Sequence, residues 1–153
     1  RMQELVKTYN PEKLIILGDL FHSKYSITKS LRERIELLPK MLRTKIELVV
    51  GNHDVDCKIK NIKLSKVKKT RDFIFSHEPI NTKENNTLNI CGHYHPKLYL
   101  KNKKDKLSFL CFAMDTNKNI LYLPAFGDLT GGYPCKESFK KWAIISDKKI
   151  LEI

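Results

Sequence analysis

Four short apolar runs in this chain each stop at a polar, glycine- or serine-led motif, and that pattern limits the folds open to it. Lys13-Leu14-Ile15-Ile16-Leu17 leads into Gly18-Asp19-Leu20-Phe21-His22, and Ile46-Glu47-Leu48-Val49-Val50 leads into Gly51-Asn52-His53-Asp54. Asp72-Phe73-Ile74-Phe75 leads into Ser76-His77-Glu78-Pro79, and Leu88-Asn89-Ile90-Cys91 into Gly92-His93-Tyr94-His95-Pro96. The runs have strand length, and continuous aliphatic and β-branched stretches such as the first two read as strands buried on both faces. Polar residues directly after a strand mark its carboxyl end, which is where layered α/β sheets bind ligands. All 5 histidines fall inside these motifs. Imidazole is the commonest protein metal ligand and the usual proton carrier near neutral pH. Their confinement to strand ends points to a functional site.

The intervening segments set the rest of the architecture. Ile27, Leu31, Ile35, Leu38 and Leu42 recur at helical spacing with Lys and Arg between them. This predicts an amphipathic helix over 26–44, or two helices broken at Pro39. A strand–helix–strand crossover brings its flanking strands parallel. Residues 3–9 are helix-like, and 81–86 form a polar loop. The C-terminal third changes character: 107–113, 120–123, 142–145 and 150–153 are β-rich, with turns at 115–119 and 147–149. They predict a second, largely antiparallel sheet packed on the first. With no repeat or linker, the expectation is one α/β domain over 1–153, two sheets with helices outside.

Composition narrows the class. The formal charge of the 153 residues is +12, mostly lysine, with runs at 58–69, 97–106 and 136–149. Such a surface attracts polyanions, although a dispersed, solvated lysine surface gives the same count. No stretch approaches the roughly 18 apolar residues of a membrane span, so a cytoplasmic protein without a membrane partner is expected. Cys57, Cys91, Cys111 and Cys135 form no Cys-x-x-Cys pair, which excludes zinc-ribbon and thioredoxin readings. Cys91 and Cys111 lie in apolar runs and are expected in the core, with thiols reduced.

Asp19, Asn52, His77, His93 and His95 offer carboxylate, amide and imidazole donors, a set suited to manganese, iron or zinc. His93 and His95 flank one residue and would point the same way in extended chain. They could serve two neighbouring ions, with Asp19 between them. Two divalent ions roughly 3.5–4 Å apart make water acidic, neutralise phosphate oxygens and fix in-line attack. His53, beside Asn52, is placed to protonate a leaving oxygen. Asp54 would either hold the His53 ring in the useful tautomer or cap a helix. His22 reads equally as a residue near the phosphate and as packing.

The order Gly-Asp, Gly-Asn-His-Asp, a lone His and Gly-His-x-His resembles the calcineurin-like metallophosphoesterases, over residues 18–96. That resemblance implies an αββα sandwich of mixed sheets flanked by helices. It also implies two divalent ions bridged by Asp19. Asn52, His77 and His93 would complete one site and His95 would serve the other, with His53 catalytic. Leu123-Pro-Ala-Phe-Gly-Asp-Leu-Thr-Gly-Gly132 resembles the signature of the ICC-like phosphoesterases, which include ligase-associated DNA-damage-response endonucleases. More distantly, 18–22 resembles the motif of SbcD-type nucleases, whose last histidine assists near the phosphate. The family begins with an Asp-x-His that residues 1–18 lack. An N-terminal strand carrying it is expected upstream of this chain, without which the site of His95 is incomplete.

The function implied is hydrolysis of phosphodiesters in nucleic acid, by metal-activated hydroxide assisted by His53. Manganese is preferred, with iron, zinc or nickel as alternatives, and a DNA-repair role would follow from the resemblance. Small cyclic nucleotides or phosphomonoesters, or a non-catalytic binding scaffold of the same fold, are the competing readings. Within 123–132 the glycines Gly127, Gly131 and Gly132 read as a tight connection permitting positive φ. Phe126 reads as a buried packing residue before a base-stacking one. Tyr94 and Tyr133 are weaker candidates for a cleft wall.

Overall fold

The first strand–helix–strand unit folds as its pattern requires. In a computed structural model describing residues 1–21, 23, 27–54, 58–82, 86–101, 106–127, 130–146 and 149–153, β1 (Lys13–Ile16) and β2 (Lys45–Val49) pair in parallel. Leu14 lies opposite Ile46 and Ile16 opposite Leu48. Strand β3 (Lys63–Ser65) adds in parallel to β2, giving the order β1-β2-β3. Among the expectations, His22, the helix start at 26, Cys57, and parts of the 81–86 loop, the 123–132 segment and the 147–149 turn lie outside the described residues.

Among the described residues three helices belong to this unit: α1 (Met2–Tyr9), α2 (Lys29–Glu36) and α3 (Leu38–Leu42). The predicted break at Pro39 takes a specific form. Pro39 sits in the first turn of α3, where its missing N–H costs nothing, so the chain restarts there after α2 ends. Thr28 caps α2, its Oγ1 accepting from the Leu31 amide at 3.2 Å. Leu31, Ile35, Leu38 and Leu42 pack with Ile27, Met2 and Val6 against Leu14, Ile16, Ile46, Leu48 and Leu64. Phe21, Leu42, Ile46, Leu48, Ile59 and Ile62 are the buried centre of that cluster, each worth roughly 1.5–3 kcal/mol of apolar burial.

Alternation along β2 sends Glu47 to the opposite face from Ile46 and Leu48. There it is 2% exposed yet charged. Lys68 Nζ lies 2.8 Å from Oε2, Lys13 Nζ 3.6 Å from the same oxygen and Lys63 Nζ 3.8 Å from Oε1. Burial alone would raise the Glu47 carboxyl. The Lys68 hydrogen bond, with the charges of Lys68, Lys63 and Lys13, outweighs it and holds the carboxyl below its usual range. The hydrogen bond to Glu47 likewise raises the Lys68 ammonium. The sequence reading absorbed Glu47 into an apolar run; a carboxylate inside such a run was the available signal.

The chain divides into two compact units, Arg1–Lys68 and Lys69–Ile153. The second sheet runs β10-β7-β8-β9-β6-β5-β4, with β11 also on β8 and β12 on β11. Its strands are β4 (Val67–Lys69), β5 (Phe73–Ser76), β6 (Leu88–Cys91), β7 (Pro96–Lys101), β8 (Lys106–Asp115), β9 (Ile120–Tyr122), β10 (Tyr133–Pro134), β11 (Lys140–Ser146) and β12 (Lys149–Glu152). Strands β5, β6 and β9 run parallel. Strand β8 is antiparallel to β7, β9 and β11.

The four predicted C-terminal runs, now β8, β9, β11 and β12, pair antiparallel as expected, and the parallel β5, β6 and β9 make the whole sheet mixed. Two of the four motif strands, β5 and β6, join it instead of β1 and β2. Four-residue runs carry no signal for which sheet they enter, because their partners are distant in sequence. Among the described residues all helices lie in the first unit. Cys91 and Cys111 are fully buried, as their apolar runs predicted, and burial pushes both thiols up to about 12.

Candidate metal centre

Each unit carries part of the expected ligand set, and each part is built by a different device. In the first unit the turn after β1 is left-handed at Gly18 (φ 83°) and at Asp19 (φ 50°). The turn after β2 lies against it. The His53 amide donates to Asp19 Oδ1 at 3.1 Å. A Cβ on Gly51 would stand 2.4 Å from both the Asp19 nitrogen and Oδ1. Glycine is therefore required at 51 for approach: any side chain would push the Asp19 carboxylate away. Asn52 and His53 are exposed beside it.

Asp54 closes this arrangement from beneath. Its carboxylate is 1% exposed. Oδ1 accepts from the Phe21 amide at 3.2 Å, and Oδ2 from the Gly51 amide at 3.0 Å. Among the described residues its hydrogen bonds go to these two turns and none to the His53 ring. The tautomer-holding role expected of Asp54 is thus replaced by that of a clamp. An acceptor-only carboxylate suits two converging N–H donors, whereas sequence spacing had shown only its nearness to His53.

In the second unit His77 follows β5 and His93 follows β6. His77 is buried and His93 exposed. His93 Nδ1 and His77 Nε2 face one another at 3.0 Å, with the rings edge to face at 4.9 Å between centroids. Asn89, fully buried, holds the His77 turn. Its Nδ2 donates to the Ile74 carbonyl at 2.9 Å and to Ser76 Oγ at 2.8 Å, while its Oδ1 accepts from the Ile80 amide at 2.7 Å. Sequence reasoning missed Asn89. A lone amide inside the run Leu88–Cys91 was its trace.

His93 (φ 49°) and His95 (φ 45°) are both left-handed, so Gly92-His-Tyr-His95 is a bend rather than the extended stretch first expected. Bulky non-glycine residues rarely take this conformation, and when they do they cluster at functional sites. Among the described residues the left-handed non-glycines are Asn10, Asn61, Asn86, Asn119, Arg43 at the end of α3, and three expected ligands: Asp19, His93 and His95.

The glycines after Phe126 behave differently from expectation. Among the described residues only Gly18 is a positive-φ glycine. Gly132 serves close approach instead: a Cβ there would lie 2.3 Å from the His95 carbonyl oxygen, while one on Gly131 would meet nothing within 4 Å. Tyr133 then donates its amide to that same carbonyl at 3.3 Å. Phe126 is 49% exposed rather than buried.

These residues fit a divalent metal. The donor set mixes carboxylate, amide oxygen and imidazole. Two facing imidazole nitrogens can share one hydrogen, or, both unprotonated, can turn their lone pairs to an ion. No described helix is long and apolar enough to cross a membrane.

Residues 1–145 match the calcineurin-like phosphoesterase family. The crystal structure of nuclease MPE from Pseudomonas putida is similar, with a TM-score of 0.78 and 26% identity over 94% of this chain and 72% of that one. A single mutant of Vps29 from Entamoeba histolytica gives a TM-score of 0.41 and 11% identity, over 99% of this chain and 87% of that one. No curated protein matches the chain. With the family match running from the first helix through β11, the mixed α/β chain belongs to the calcineurin-like phosphoesterases and is a metal-dependent phosphoester hydrolase.

Proposed function

We propose that this phosphoesterase cuts phosphodiester bonds in nucleic acid, with His53 as its catalytic acid. The observation that carries this reading is the placement of His53. Its main-chain amide is tied to the Asp19 carboxylate at 3.1 Å, and its side chain is exposed to solvent. An imidazole whose backbone is fixed while its ring stays open can meet a substrate oxygen and give it a proton. The substrate class is supported by the formal charge of +12 and by the similarity to the Pseudomonas putida nuclease.

Asp19, Asn52, His77, His93 and His95 would hold two divalent ions, manganese by preference and otherwise iron, zinc or nickel. When bound, the ions supply Lewis acidity that neutralises phosphate oxygens and makes water a nucleophile at neutral pH. The protein's own part is positional. Asp54 and Gly51 set the Asp19 carboxylate, and Asn89 sets the turn of His77. Gly132 lets the following segment reach the His95 carbonyl, and His53 delivers the proton to the departing oxygen.

The test compares wild type with His53→Ala on bis-p-nitrophenyl phosphate and on DNA, with Mn²⁺, Fe²⁺, Zn²⁺ and Ni²⁺ in turn. The variant keeps the fold, because the replaced ring is exposed, and loses roughly 10²–10⁴-fold in rate. Equal rates would remove the assignment of His53. Hydrolysis of the small diester with no cleavage of DNA would remove the substrate class alone.

A further inference from the structure

We propose that Tyr133 is a stacking platform for a nucleobase of the substrate, built into the wall beside the His93-Tyr94-His95 turn; this rests on the nucleic-acid reading above. The second unit contains a column of four aromatic rings. Phe139 stacks on Tyr122 at 5.5 Å between centroids and 11°. Tyr122 meets Tyr94 at 5.3 Å and 54°. Tyr94 stacks on Tyr133 at 5.6 Å and 23°. The column starts in the core, where Phe139 and Tyr122 are each 7% exposed, and ends at Tyr133, which is 61% exposed. One face of this largely exposed last ring is covered by Tyr94.

The position of that ring is fixed by backbone. Tyr133 pairs with Pro96 in the β10–β7 register, and its amide donates to the His95 carbonyl. The Cys135 amide donates to the Lys97 carbonyl at 2.9 Å. The Tyr94 hydroxyl donates to the Pro134 carbonyl at 2.5 Å, which ties the ring beneath to the strand that carries the platform. Gly132 makes the approach possible, since a Cβ there would collide with the His95 oxygen. The whole arrangement thus hangs on an expected ligand loop.

An isolated surface tyrosine must be ordered before it can stack, which erodes affinity. Tyr133 is already ordered. A flat ring continues the column, and every base has a π-face, so the contact is tolerant of sequence. A base can reach it only when unstacked from its neighbours, as in single strands or frayed ends. The Lys97 side chain passes beside Gly132, and its ammonium donates to the Thr130 carbonyl at 3.5 Å. Its positive charge suits the anionic backbone of a strand whose base is stacked there.

The experiment measures fluorescence anisotropy of the full chain, in EDTA so that nothing is cut, with a labelled oligothymidylate and an abasic strand of equal length. Wild type should bind the base-bearing strand roughly 5- to 100-fold more tightly, as a stacked base contributes. Tyr133→Ala should erase that preference with an unchanged melting temperature, and Tyr133→Phe should retain it. A preference left intact in Tyr133→Ala overturns the platform while sparing the nucleic-acid reading. Wild type that binds neither strand and cleaves no DNA overturns both.

Discussion

The two units hold their candidate ligands by opposite means. In Arg1–Lys68 the turns after β1 and β2 are joined by side chains reaching across the sequence. Asp54 accepts from Phe21 33 residues away, and Asp19 accepts from His53 34 residues away. In Lys69–Ile153 the His93–His95 bend is joined to its wall by main chain, through β7–β10 pairing and the Tyr133 amide. A buried amide, Asn89, sets the turn of His77 where a buried carboxylate sets that of Asp19. The difference follows from the donors available. Asp54 faces two N–H groups and needs only acceptors. Asn89 faces a carbonyl and an N–H and needs both roles. Each half is therefore vulnerable to a different class of substitution.

The sharpest test of that contrast crowds each turn. Gly51→Ala should lower phosphodiesterase rate about 100-fold, the usual consequence of displacing a catalytic group by about 1 Å. Gly132→Ala should lower it as well, whereas Gly131→Ala, which has open space, should not. A fully active Gly51→Ala would show that the seat of Asp19 is unimportant. The next effect is on stability, read by urea denaturation. Asn89→Asp buries a charge against the Ile74 carbonyl and should cost roughly 3 kcal/mol or more. Asp54→Asn leaves one amide facing an NH₂ group and should cost roughly 1–3 kcal/mol. A reversal of that order would break the donor–acceptor account.

Smaller effects come from titration. Cys91, Cys111 and Tyr122 are pushed up to about 12, by burial first, from ordinary values of 9.0 for the thiols and 10.0 for the phenol. A raised acid binds its proton more tightly in the folded state. Its stabilisation is complete below the unfolded value and is lost as pH rises toward the folded one. Melting temperature should therefore fall between about pH 9 and pH 12, and the two thiols should resist a thiol reagent at pH 8 until the protein unfolds. A melting temperature flat across that window would contradict the burial. The smallest effect belongs to Glu47, whose folded value is lowered from 4.5. Its stabilisation is present above that value and is lost as pH falls through the folded one. Glu47→Gln should remove this part of the acid slope; an unchanged slope would show that the lysines around it do not act on it.

Much of this was legible before any coordinates. The helical repeat from Ile27 to Leu42 became the apolar faces of α2 and α3 because a 3.6-residue period can bury only one stripe. The strand–helix–strand unit became a parallel pair because a crossover permits little else. What failed did so where partners are distant. The residues of β3, β4, β7 and β10 carry too short or too polar a pattern to announce a strand, and they form because a neighbour offers a free edge. Phe126 looked like core and lies in the open.

By itself, then, the sequence determined which residues are the candidates for the chemistry, because carboxylate, amide and imidazole donors are named by residue type and their strand-end positions by local apolar runs. Tertiary structure alone decided how those residues are held. The grip of Asp54 on Phe21, of Asn89 on the His77 turn, and of Tyr133 on His95 is each a hydrogen bond between groups that no short-range pattern relates. Only the closing of long loops brings them within reach, and a hydrogen bond depends on distance in space rather than on separation along the chain.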